Sequence, residues 1–161
     1  MAVLTVTVTV PLTSTVHAAG VDAQCTGTQH ITYSPGLRLL NQTVTTTGST
    51  TYNCTGQVTS GHTSFTATDS RSCLSAVGGD FTTTITWNDE STSTITGTAT
   101  VATVAGNTVV TRTGTVTAGR FQGAQVLEVA TGPTIASLTA CIMAPGLTST
   151  NEYLTLTITP L

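Results

Sequence analysis

The stretch FTTTITWNDESTSTITGTATV, Phe81 to Val101, alternates threonine with apolar residues in two arms around a polar break, and this period-2 pattern restricts the fold more than any other feature. In the first arm Phe81, Thr83, Ile85 and Trp87 share one face and Thr82, Thr84 and Thr86 the other. The second arm sets Thr92, Thr94, Thr96, Thr98 and Thr100 against Ile95, Ala99 and Val101. Each arm therefore has a wet hydroxyl face and a drier one, with Asn88, Asp89 and Glu90 at the tip of a tight hairpin. Trp87 is the only tryptophan; it would bury about 200 Å² and needs a partner for its indole N–H, so it is expected in the core at the turn end of the sheet. A surface tryptophan in a ligand groove is the other reading.

Composition extends the pattern to the whole chain. Threonine supplies about a quarter of the 161 residues, lysine is missing, and charged residues make up 7%, against about a quarter in ordinary domains. Threonine is β-branched, stiff at χ1 and able to hydrate a sheet face through its hydroxyl, so its alternation with Val and Ile favours strands throughout. Further strands are expected over Thr26–Tyr33, Gln42–Tyr52, Ser64–Asp69, Val109–Thr117, Phe121–Ala130 and Tyr153–Thr159. Turns are expected at Ser34-Pro35-Gly36 (type II), Thr59-Ser60-Gly61-His62 and Ala105-Gly106-Asn107. About eight antiparallel strands without a helical period point to a β-sandwich of immunoglobulin-like, Greek-key type, with a small closed β-barrel as the alternative. Ser34-Pro35-Gly36-Leu37 is echoed by Ala144-Pro145-Gly146-Leu147, with Asn41 and Asn151 at the same offset. This is either a good turn used twice or two related β-units meeting at one end of the sheet.

The apolar start closes on small residues, with Val16-His17-Ala18 and Val21-Asp22-Ala23 fitting the small-residue cleavage rule. Residues 1–23 read as a signal peptide and 24–161 as one β domain, with an N-terminal strand as the other account of TVTVTV. No Lys or Arg precedes Arg38, so Met1 reads as internal to a longer signal. Four cysteines in an exported chain fit two disulfides, with three possible pairings. A meander would bring Cys25 near Cys54 and leave Cys73 for Cys141.

The net charge of −3, with Arg38, Arg71, Arg112 and Arg120 scattered, provides no basic stripe for nucleic acid. No apolar run after the N-terminus is long enough for a membrane span. Catalytic constellations are weak. There is no Gly-x-Ser-x-Gly elbow, His30 and His62 have no metal-ligand spacing, and Asp89 and Glu90 diverge on a hairpin tip, so no catalytic residue, metal site or cofactor is assigned. Threonine rows invite an ice-binding reading, but their irregular spacing and the twist of antiparallel sheets oppose it.

The order Cys25, Tyr33-Ser34-Pro35-Gly36-Leu37, Cys54, Ser72-Cys73, Ile85-Thr86-Trp87, Gly114-Thr115-Val116-Thr117-Ala118-Gly119-Arg120-Phe121, Gly123 and Cys141 resembles small secreted actinobacterial proteins of unknown function. The resemblance implies an exported, disulfide-bonded β domain and supplies no catalytic residues. The expected function is that of a secreted, non-catalytic module that is structural or binds another extracellular protein. A small-ligand or carbohydrate binder is the alternative, with ice binding or hydrolysis behind it. Binding residues are expected in loops: Ser34, Pro35, Gly36 and Leu37; Asn88, Asp89 and Glu90; and Ala144, Pro145, Gly146 and Leu147.

Overall fold

The computed structural model describes residues 20–75, 78–134 and 139–161. Eight antiparallel strands follow one another around a closed barrel: β1 (Ala23–Leu37), β2 (Gln42–Gly56), β3 (Ser60–Arg71), β4 (Gly79–Trp87), β5 (Thr92–Val104), β6 (Asn107–Gly119), β7 (Gln125–Pro133) and β8 (Leu147–Thr159). The all-β expectation holds, and the architecture is the barrel alternative, not the sandwich. What decides between them is a long-range pairing: β8 lies against β1 from Ala23↔Ile158 to Thr32↔Ser149, which closes the sheet on itself. Each strand pairs with its sequence neighbours, so no Greek-key crossing occurs. Apolar-in, threonine-out alternation is common to both architectures, which is why strand content was readable and closure was not.

Three local expectations change. Ser34-Pro35-Gly36 does not turn the chain: β1 runs through it to Leu37, with a register shift against β8 between Thr32 and Leu37. Ser60, Gly61 and His62 belong to β3, paired with Asn53, Tyr52 and Thr51; Trp87 packs so close to Gly61 that a Cβ there would lie 2.7 Å from the indole. Phe121 sits in the β6–β7 connection at φ 64°, and the strand begins only at Gln125.

Both expected disulfides are present, Cys25–Cys54 directly across β1 and β2, and Cys73–Cys141 between the β3–β4 and β7–β8 connections. The two Pro-Gly echoes meet: Leu37 pairs with Leu147, and a Cβ on Gly36 would lie 2.9 Å from the Pro145 carbonyl oxygen. The leader assigned to residues 1–23 falls mainly outside the described residues. Its last two positions, Asp22 and Ala23, are in the barrel, where the Asp22 N–H donates to the Ile158 carbonyl and Ala23 is fully buried.

Candidate functional site

The inward side chains sort into three levels. At the end formed by the β2–β3, β4–β5 and β6–β7 connections, Ile85, Trp87, Ile95, Val116 and Leu156 fill the barrel as its main core. Trp87 is 2% exposed, donates from Nε1 to Ser93 Oγ at 2.8 Å and meets the Phe121 ring edge-on at 5.8 Å, as its expected place at the turn end required. At the opposite end a smaller cluster of Tyr33, Leu37, Val44, Leu147 and the Cys73–Cys141 disulfide forms a cap.

Between plug and cap lies a polar belt, unusual for the interior of so small a barrel. Glu128, almost fully buried on β7, is the register partner of Arg112 on β6 and forms an ion pair with it. The Tyr52 hydroxyl donates to the other Glu128 carboxylate oxygen at 2.8 Å. Burial, and then the adjacent Glu128 charge, push the Tyr52 phenol well above its ordinary range, so it remains a donor. Gln29 of β1 lies between Thr50 of β2 and Glu152 of β8 in the register. Its Nε2 donates to Thr50 Oγ1 at 2.9 Å, whereas its Oε1 has no partner. Thr46 Oγ1 and Glu152 Oε2 are likewise buried without a partner. Burial raises the Glu152 pKa, Arg112 opposes that shift and Glu128 adds to it. Buried polar atoms are normally hydrogen-bonded, and unpaired ones carry a desolvation cost of about 1–3 kcal/mol. Three such atoms, on adjacent strands, lie on one lumen wall.

The belt borders empty space. One cavity of about 280 Å³ lies under the cap, between Tyr33, Thr46, Val110 and Glu152. A second, of about 350 Å³, lies between Tyr52, Phe81, Ile85 and Glu128. Gln29, Phe65, Arg71 and Arg112 line both, so the chambers adjoin. Phe65 points inward from β3 yet is 41% exposed, its ring resting over Gly48, where a Cβ would collide with it. That glycine makes room for an aromatic wall. Among the described residues β3 and β4 pair only at Gly61↔Trp87 and His62↔Thr86. From there the two strands part, bridged by the Thr63–Thr83 hydroxyl bond at 3.1 Å, and the second cavity lies between them. The barrel wall is therefore split along one seam.

The loop candidates lie elsewhere. Ser34–Leu37 and Ala144–Leu147 come together at the cap end, where Gln42 Nε2 donates to the Gly36 carbonyl. The Asn88–Glu90 tip is at the plug end and is tied down. Asn88 Oδ1 accepts the Thr59 and Ser60 N–H groups, and Asp89 pairs with Arg120. The Ser91 hydroxyl, followed by its backbone N–H and the Arg120 charge, holds the Asp89 carboxyl below its ordinary range. His30 and His62 face outward, His30 bonded to Asn151 Oδ1 at 2.8 Å. Sequence reading passed over Gln29, Tyr52, Phe65, Glu128 and Glu152. A signal was present: Arg112 and Glu128 occupy the parity of Val110, Val116, Val126 and Ala130, so each places a charge on the dry face of its strand.

Among the described residues no group of three His, Cys, Asp or Glu side chains could hold a metal, and no helix is long and apolar enough to cross a membrane. Outward positions of β1 and β2 are Thr26, Thr28, His30, Thr32, Thr43, Thr45, Thr47 and Ser49, not the apolar band that a lipid-facing barrel carries. Fold and site together define a disulfide-bonded, eight-stranded up-and-down barrel with a partly empty polar lumen. Compared with protein-family models, curated proteins and solved structures, the chain gives no match.

Proposed function

We propose that this protein binds one small molecule inside its barrel and turns over no substrate. The observation that carries the reading is the set of partnerless buried atoms, Gln29 Oε1, Thr46 Oγ1 and Glu152 Oε2, on residues that line a cavity beside the exposed Phe65 ring. Eight-stranded barrels either fill their lumen with side chains or hold one small ligand, and a few convergent polar groups on an apolar wall are what a ligand site requires. Among the described residues both histidines, His30 and His62, face outward, away from the lumen. Two disulfides fit an oxidising compartment, so we read the protein as exported. Of the two cleavage positions, the one after Ala18 is favoured because it leaves Asp22 and Ala23 in the barrel.

A fragment screen followed by backbone amide NMR tests the reading. Binding fragments should shift Gln29, Phe65 and Arg112, and Ala67→Trp, which fills the second cavity, should abolish those shifts while the rest of the spectrum stays native. Shifts confined to the barrel exterior would overturn the proposal.

A second reading, docking of another extracellular protein, has its own support at the cap end. Leu40 (82% exposed), Leu74 (66%), Ile142 (70%) and Met143 (65%) crown the connections around the lumen mouth. Apolar side chains gathered at one end of a threonine-coated barrel suit a partner surface. Affinity capture from culture supernatant, repeated with Leu40→Ser and Ile142→Ser together, tests it: a partner lost in the double variant supports docking, and one retained refutes it.

A further inference from the structure

Resting on the lumen-binding reading, we propose that the ligand is a small organic cation, a protonated amine whose N–H groups meet Glu152 and Gln29 and whose apolar body lies against Phe65. The argument is one of charge and hydrogen-bond complementarity. Of the lumen cations, Arg112 is paired with Glu128, which also receives the Tyr52 hydroxyl, and Arg71 at the mouth is paired with Asp69. Glu152 has no ion-pair partner among the described residues, so Arg112, Glu128 and Glu152 together leave the belt with one uncompensated negative charge.

The two unpaired carbonyl-type oxygens of the belt are both acceptors. Gln29 is 5% exposed; its Nε2 donates to Thr50, and its carbonyl oxygen has no partner. Glu152 Oε2 is an acceptor as well, and the two residues are direct register partners on β1 and β8, which places the two acceptors side by side. Thr46, 2% exposed, adds a hydroxyl that can serve either way. An anion would meet the charge of Glu152, which shares the field of Arg112 with Glu128, and a ligand rich in acceptors would leave both carbonyl-type oxygens unpaired. An ammonium group supplies up to three donors and the opposite charge, and the face of Phe65 offers a cation–π or stacking surface to the rest of the molecule. Asp80, exposed beside the β3–β4 seam and lining the second cavity, adds a negative charge at the lateral opening, where it would draw cations inward.

Isothermal titration with three matched probes, phenethylamine, 2-phenylethanol and phenylacetate, decides the matter, because they share a ring and differ in charge. The amine should bind at least about tenfold more tightly than the alcohol, and phenylacetate more weakly than either. Glu152→Gln, which keeps shape and removes charge, should erase the preference for the amine while leaving 2-phenylethanol within about twofold. Glu152→Ala, which removes the carboxylate altogether, serves as the second variant, with intact folding shown by the native emission of buried Trp87. Equal binding of amine and alcohol, or a preference that survives both substitutions, overturns the cation inference and leaves lumen binding standing. Binding of none of the three, with no lumen shifts in the fragment screen, overturns both.

Discussion

Arg112→Met tests most directly whether the polar belt is an interdependent network. Glu128 is 8% exposed and holds two donors, the Arg112 guanidinium and the Tyr52 hydroxyl. Methionine keeps most of the stem volume of arginine and removes the charge, which leaves a buried carboxylate with one neutral donor. Deleting one partner of a buried ion pair costs about 3–5 kcal/mol. The Arg112 side chain is 23% exposed, so water can reach part of the abandoned site, which places the expectation near the low end, about 3 kcal/mol. For a domain of this size about 3 °C accompanies each kcal/mol, so the midpoint should fall by about 9 °C. Adding Glu128→Leu removes the stranded anion and should recover more than half of the loss, since an apolar replacement of both partners is often neutral or better. Adding Tyr52→Phe then removes the orphaned hydroxyl and should restore the rest. Thermal unfolding followed by Trp87 fluorescence, without reductant, is the assay. A single variant that melts within about 2 °C of the parent, or a double variant less stable than the single, would show that the pair is not buried and coupled as described.

Glu152→Gln should raise the melting temperature at neutral pH. Burial holds the Glu152 pKa above its ordinary 4.5, so between that value and the raised one the folded state keeps a proton that the unfolded chain has released; stability falls as pH climbs through the window, and the variant should lose that slope in a pH series of melts. Asp89→Arg should lower the melting temperature, because it breaks the Arg120 pair and the Ser91 bonds that hold the β4–β5 tip, and an unchanged midpoint would show the tip to be free. Cys73→Ser with Cys141→Ser should cost about 4 kcal/mol in the chain-entropy model for a separation of 68 residues, read from denaturant melts, while the Cys25–Cys54 bridge persists in non-reducing peptide maps.

How much of this was legible depends on the range of the interaction that sets each feature. Strand identity is set within a few residues, and the Phe81–Trp87 alternation announced β4 with its inward face correct to the residue. The disulfides followed because a meander makes Cys25 and Cys54 cross-strand partners and leaves one pairing for the rest. Closure is set by β8 meeting β1, about 120 residues away in the chain at His30 and Asn151, and nothing local in either strand encodes it. Pro35 misled for a definable reason: Ser-Pro-Gly is good turn chemistry, but here β1 is irregular opposite Pro145, where a strand can accept proline without losing a ladder bond. The lumen site was hidden because its members lie on six strands, with one inward residue from most of them. The parity of Arg112 and Glu128, and of Gln29 and Glu152 in their strands, exposed it, and parity carries meaning only once the inner face is known.

The belt also explains why the barrel needs two kinds of stabilisation that the sequence advertised separately. A lumen holding Gln29, Thr46, Glu128 and Glu152 gives up apolar burial at the middle of the domain, where an ordinary barrel would place Val or Leu. Compensation lies at both ends: the plug packs Trp87 and Phe121 over Ile85 and Leu156 beside the Cys25–Cys54 bridge, and the cap is cross-linked by Cys73–Cys141. Each bridge restricts the unfolded chain and so stabilises the fold without apolar packing in the belt, with Cys73 lining the cavity under the cap. The split between β3 and β4 fits the same division, since it opens beside Phe65 and closes at Gly61↔Trp87, where the plug begins. Apolar packing and cross-links thus hold the two ends, which lets the middle keep the unpaired acceptors on which the proposed binding rests.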